Sequence, residues 1–161
     1  MGAIQFRTVK EPDRGKIRGI LKEAYSSLKT QSFADSSWWR EIDGHEDFVF
    51  EDPEAFRHTW FAMRDGVEVG FASYDPKFAK GTAFINTVCV HPVHQRKGVG
   101  KQLLQFLIQQ MKEEHAARAL CTLYMHPFFL PAYYALQSLT FEVVDSSLQY
   151  NVQKLSLQLK L

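Results

Sequence analysis

The sequence predicts one mixed α/β domain, a sheet with helices packed on both of its faces. Three observations predict it. Apolar residues recur with period two in some stretches and near 3.6 in others, so strands and amphipathic helices alternate. An Asp65-Gly66 pair joins two strand-like runs, a hairpin signal. Across all 161 residues no repeat or low-complexity linker marks a boundary, and that length suits a single core, so residues 1–161 read as one domain.

Residues 4–9 alternate and read as a first strand. Glu11-Pro12-Asp13 then opens a helix, with Pro near the first turn and acids at the positive dipole end. Ile17, Ile20, Leu21, Ala24 and Leu28 give that helix one apolar face. Residues 29–58 mix Trp38, Trp39, Phe48, Val49, Phe50 and Phe56 with many acids, and a short helix plus a long loop is expected there. Residues 59–64 and 67–74 form the hairpin arms, and residues 82–90 are a nearly continuous apolar run, as in a strand covered on both faces. Residues 98–115 are amphipathic through Val99, Leu103, Phe106, Leu107 and Met111. A strand at 119–125, a short helix at 132–139 and two strands at 141–144 and 152–161 complete the order. In the last strand Leu155, Leu157, Leu159 and Leu161 alternate with polar residues, so one face is wet.

Nineteen Lys and Arg against eighteen Asp and Glu leave a net charge of +1, which gives no global case for a nucleic-acid or membrane partner. Cys89 and Cys121 lie in apolar runs and read as buried free thiols, too few for a disulfide framework or a zinc site. No apolar run approaches the roughly 18–20 residues of a membrane span. A cytoplasmic protein without a metal is the expectation.

The chemistry concentrates after residue 90. Pro92 cannot donate to a sheet, so pairing should stop there. Gln95-Arg96-Lys97-Gly98-Val99-Gly100 then leads into a helix. Two glycines let a ligand approach the backbone, and the first helical turn leaves N–H groups unpaired with partial positive charge. Arg96, Lys97 and Lys101 add full charges. Together they suit a polyanion laid across a helix N-terminus. It is not a Walker A loop, because Gln95 stands at its first Gly and no Ser or Thr follows Lys101; nor is it G-x-G-x-x-G, since Leu103 holds the third Gly position.

The run from Val90-His91-Pro92 through Gly98-Val99-Gly100 resembles the V-x-P-x-x-(Q/R)-x-x-G-x-(G/A) signature of the GNAT superfamily of N-acetyltransferases. The order of strands resembles that fold as well. The resemblance implies a mixed, mostly antiparallel twisted sheet of about 6–7 strands, flanked by helices, whose fourth and fifth strands splay apart. It implies acetyl-CoA as co-substrate, with the pantetheine arm on backbone groups of Thr87, Val88, Cys89 and Val90 by strand addition. The pyrophosphate would take N–H groups from Gln95, Arg96, Lys97, Gly98, Val99, Gly100 and Lys101. The backbone N–H near Val88 would face the thioester carbonyl as an oxyanion donor.

Transfer to an amine raises two proton problems. The departing thiolate is helped by an acid, and an ammonium of pKa about 10.4 must first lose a proton. Many GNAT members place the acid on a Tyr within F-Y-x-x-x-G-F after the fifth strand. Counting forward from that strand selects Tyr134, with Tyr133 the alternative; counting back from Phe141 selects Leu136, and Thr140 stands where the family has Gly. The family's Glu base on the fourth strand corresponds to Phe84, and neither Asn86 nor Thr87 is a base. Water, a group from residues 29–58, or His126 remain as alternatives, while His91 and His94 read as loop residues.

Seven acids from Glu41 through Glu54 read either as a rim that attracts a cationic amine, with Trp38 and Trp39 adding cation–π contact, or as a solvated acidic loop. The acceptor is thus expected to be a primary amine of a small molecule or a protein. A CoA-binding sensor or interaction module that lost catalysis is the alternative function. The alternating final strand offers an edge for a homodimer, by analogy with the family.

Overall fold

The computed structural model describes residues 2–28, 36–149 and 152–161, the side chains of 36–43 excepted. Its strands are β1 (Gln5–Thr8), β2 (Thr59–Arg64), β3 (Val67–Ala79), β4 (Thr82–Val90), β5 (Arg118–Tyr124), β6 (Glu142–Gln149) and β7 (Val152–Lys160). Its helices are α1 (Arg14–Ala24), α2 (Ser36–Glu51), α3 (Pro53–Arg57), α4 (Val99–Glu113) and α5 (Leu130–Ser138). The strands form one sheet in the order β1-β2-β3-β4-β5-β7-β6. Every neighbouring pair is antiparallel except β4 and β5, which run parallel. The mixed, mostly antiparallel sheet read from the sequence is therefore the observed one.

Alternation along the strands divides the core between the two faces. Trp60, Ala62, Ala72 and Tyr74 join the cluster built by Val99, Leu103, Leu104, Leu107 and Met111 of α4. Phe61, Phe71 and Cys89 join Ile17, Ile20, Leu21 and Ala24 of α1 on the other side. Full burial of such side chains stabilises by roughly 1.5–3 kcal/mol each, before the entropy of ordering them. The far end of α4 is pinned as well: the Tyr74 hydroxyl donates to Glu114 at 2.7 Å, and His58 Nε2 lies 2.8 Å from the same carboxylate.

The hairpin turn is as expected, with positive φ at both Asp65 (52°) and Gly66 (77°), the type I′ pattern. Of the short helix and long loop expected over residues 29–58, the part at 29–35 lies outside the described residues, and the rest needs correction. In place of a long loop the structure has the sixteen-residue α2 followed by α3. Asp52 caps α3, its side chain accepting from the N–H groups of Glu54 and Ala55, and Pro53 occupies the first turn. The helix α2 is held to α1 by charge: Glu46 accepts from Arg14 Nε at 2.7 Å and from Arg18 Nε at 2.8 Å. The expected full cover of β4 also needs refinement, because its residues alternate between buried and half-buried from Ala83 to Val90.

Candidate active site

The decisive feature is a gap inside the sheet. The β4–β5 ladder holds only Thr82↔Arg118, Ala83↔Ala119 and Phe84↔Leu120. Beyond these pairs β4 stays on β3 as far as Val90↔Gly70, and β5 stays on β7 as far as Tyr124↔Lys154. The two strands thus turn unpaired edges towards one another from Ile85 and Cys121 onward. Such edges are templates for an extended ligand. Gly70 permits the β3 contact that holds this end of β4, since a Cβ there would meet the Cys89 carbonyl oxygen at 2.7 Å.

At the mouth of the gap the chain makes a tight turn. The His91 side chain accepts from Val93 N, His94 N donates to the His91 carbonyl at 2.8 Å, and Gln95 N donates to that of Pro92 at 3.2 Å. The Gln95 side chain closes the turn, donating through Nε2 to the Val90 carbonyl at 2.9 Å. Gln95 therefore shapes the loop, and its own N–H is already bonded. Arg96 (φ 61°) and Gly98 (φ 82°) are both left-handed, a geometry that turns successive N–H groups into one concavity. The first bond of α4 runs from Gln102 N to the Gly98 carbonyl at 3.1 Å, which leaves Val99, Gly100 and Lys101 N–H at the open end. Among the described residues no carboxylate pairs with Arg96, Lys97 or Lys101. The fit to a pyrophosphate is thus met by geometry and by charge.

The polar groups around the gap are sharply sorted. Burial raises the Cys121 thiol to about 12 and pushes Cys89 higher still, so both are closed as nucleophiles. His94 is depressed by burial and then by Lys97, His91 and Arg64, which marks this corner as electropositive. His126 Nδ1 accepts from Phe128 N at 3.1 Å and caps the turn before α5. On α5, Tyr134 is 60% exposed, whereas Tyr133 is half-buried against the α4 cluster and its hydroxyl accepts from Gln137 at 2.9 Å. Phe84 stacks on Phe78 with ring centroids 4.8 Å apart.

The acidic segment is largely neutralised. Glu46 and Asp47 pair with Arg14, Glu46 also with Arg18, and Glu54 with Arg57 and Lys77, while Asp52 is a helix cap. Glu41, Asp43, Trp38 and Trp39 have side chains outside the described residues. A cleft of about 560 Å³ lined by Glu54, Arg57, His58, Pro76, Lys77 and Glu114 lies at the opposite end of α4 from the turn. Its Glu54 pairs with Arg57 and Lys77, and its Glu114 is hydrogen-bonded to His58 and Tyr74.

Residues 15–133 match the model of the acetyltransferase (GNAT) family. The chain belongs to that family. No curated protein sequence matches it. Among solved structures it is similar to a GNAT-family protein from Desulfovibrio desulfuricans, at 19% identity, TM-score 0.77 and cover of 98% of this chain and 99% of that one. It is similar as well to the PaiA N-acetyltransferase of Thermoplasma acidophilum solved with coenzyme A, at 15% identity and TM-score 0.75 over 99% of each chain. A third is the ribosomal-protein-S18-alanine N-acetyltransferase of Escherichia coli, at 17% identity and TM-score 0.72, covering 98% of this chain and 94% of that one. At these identities the likeness is one of fold.

The helix after β5 ends in a left-handed turn. Thr140 has φ 68°, and Phe141 N donates to the Leu136 carbonyl at 3.1 Å, which is the left-handed helix stop normally given to glycine. Thr140, which counting back from Phe141 sets at the Gly of the F-Y-x-x-x-G-F pattern, thus has a glycine-like backbone. That count puts Leu136, buried at 5%, where the family has Tyr. Tyr133 lies one turn earlier on the same helix face, and Tyr134 lies on another. Sequence reasoning passed over one carboxylate, Asp75, cross-strand from Phe84, with Oδ1 accepting from Lys77 N at 2.9 Å.

Proposed function

We propose that this chain moves an acetyl group from acetyl-CoA to a primary amine by direct attack. The observation that carries the reading is the meeting of two features: a gap with two unpaired strand edges, and a left-handed turn at the open end of α4. Backbone groups of Val88, Cys89 and Val90 would hold an extended arm along the β4 edge. The N–H groups from Arg96 to Lys101, with the side chains of Arg96, Lys97 and Lys101, would hold the pyrophosphate. Acetyl-CoA supplies the activated acyl group. The Val88 N–H would donate to the oxyanion, and a phenol on α5 would return a proton to the thiolate. Exposure and helix face favour Tyr133 over Tyr134 for that role.

The pairing of the acids with Arg14, Arg18, Arg57 and Lys77 weakens the case for a strongly cationic acceptor. A second reading, a CoA-binding module of low activity, is supported by the Phe84–Phe78 stack at the base position. One experiment separates the two. Calorimetry with acetyl-CoA should show binding that Gly98→Glu removes, and thiol release should rise with an amine acceptor. Binding without release across an amine panel selects the module; wild-type protein that does not bind acetyl-CoA sinks both.

A further inference from the structure

We infer that Asn86 is an acceptor-binding residue, its carboxamide N–H recognising an oxygen atom carried next to the amino group of the substrate. The inference rests on the acetyl-transfer reading above, and it narrows the substrate class.

The β3–β4 register passes from Ser73↔Thr87 to Tyr74↔Ile85. Asn86 is the residue left over, the extra residue of a β-bulge, without a partner on β3. On the other side the last β4–β5 pair is Phe84↔Leu120. Asn86 therefore stands where both ladders lapse, at the vertex of the gap. Bulges recur beside active sites because they re-aim a side chain.

The side chain carries a second, independent sign. Asn86 Nδ2 is buried and has no hydrogen-bond partner. Leaving a buried donor unmet costs about 1–3 kcal/mol, and such groups in a native fold call for an explanation. Nothing in the packing supplies one, since the bulge already frees this residue from both neighbouring strands.

Position says what would meet the donor. An acyl carrier that enters from Gly98 and runs along β4 has its reacting end near the Val88 N–H. At a strand rise of about 3.3 Å per residue, Asn86 lies about 7 Å further towards the vertex. That is beyond the acyl group, with room for an amine and the first bonds of its skeleton. An N–H donor needs an acceptor lone pair, and an ammonium group at neutral pH has none. An alkyl polyamine brings only further N–H groups, whereas an amine with a neighbouring carbonyl brings the acceptor atom. Sites built to bond a polar group reject the analogue that lacks it, because the buried partner is then left unpaired.

The test uses the full chain saturated with CoA, with triglycine and cadaverine as probe amines in calorimetry. Wild-type protein should bind triglycine at least about tenfold more tightly than cadaverine. Asn86→Leu should erase that preference, keep CoA affinity within about twofold, and leave Tm equal or higher, since an unmet donor has been removed. Asn86→Asp, which can only accept at neutral pH, should turn the preference towards cadaverine and serves if the leucine variant folds poorly. Equal binding of the two amines by wild-type protein, no triglycine binding, or a preference that survives either substitution overturns the inference while CoA binding stands. Loss of CoA binding by wild-type protein would overturn the cofactor reading itself and this inference with it.

Discussion

Gln95 Nε2 donates to the carbonyl oxygen of Val90 at 2.9 Å, so the residue that opens the turn before α4 is tied to the last residue of β4. The bond fixes the distance between the strand edge and the open end of α4, the two surfaces a single cofactor would have to reach. Gln95→Ala removes the tie but adds no charge, and CoA affinity should fall about three- to tenfold, the effect of one neutral hydrogen bond. Gln95→Glu loses the donor and places a negative charge beside the proposed pyrophosphate site, so affinity should fall by well over about tenfold. Calorimetry at fixed ionic strength measures both, and equal affinities for the two variants would contradict the geometry.

Thr140 makes a test of stability. A β-branched residue at φ 68° pays steric strain that glycine avoids. Thr140→Gly should raise the unfolding free energy by about 1 kcal/mol, after the entropic cost of glycine in the unfolded chain. Thermal denaturation should show the higher Tm, with CoA affinity unaltered. A lower Tm would mean that the Thr140 side chain contributes more than its backbone costs.

These two residues also show what the sequence could and could not disclose. The Asp65-Gly66 turn was legible because its φ angles almost require those residue types. The turn before α4 was legible for the same reason at Gly98. The structural duty of Gln95 was not, since its partner is a backbone carbonyl that leaves no mark on residue identity. The helix α2 was hidden because acids and Gly44 break up its apolar face, and because its anchors, Arg14 and Arg18, lie about thirty residues away in the chain. Asn86 was seen only as a residue that is not a base. Its place in a bulge depends on the register of β3, and register is not readable from one strand alone.

The two tyrosines of α5 separate in kinetics. Tyr133→Phe should lower kcat by about 100-fold, the lower range for loss of a general acid, with little change in CoA affinity. The measurement is steady-state thiol release with a saturating amine, beside CoA calorimetry. A larger effect from Tyr134→Phe would return the acid to the exposed residue. Unchanged turnover in both variants would leave the thiolate to depart without a phenol.

The α1–α2 clamp predicts how the fold answers acid. The guanidinium of Arg18 is the main cause that holds Glu46 below its ordinary 4.5; burial opposes it, and Arg14 adds to the lowering. A carboxylate whose folded pKa is depressed binds its proton more readily in the unfolded chain. Its contribution is present above the unfolded value and is lost as pH falls through the folded one. Stability should therefore decline below about pH 4.5, as Glu46 and the similarly depressed Asp13 and Glu68 take up protons. Glu46→Gln should cost about 1 kcal/mol at neutral pH, a modest figure because Arg18 is largely exposed and solvent screens the pair. The variant and the wild type should converge on acidification, since the wild-type carboxyl is then neutral too. Urea denaturation across pH 3 to 7 resolves the two curves. A gap that stays constant with pH would show that Glu46 holds α2 by shape and not by charge.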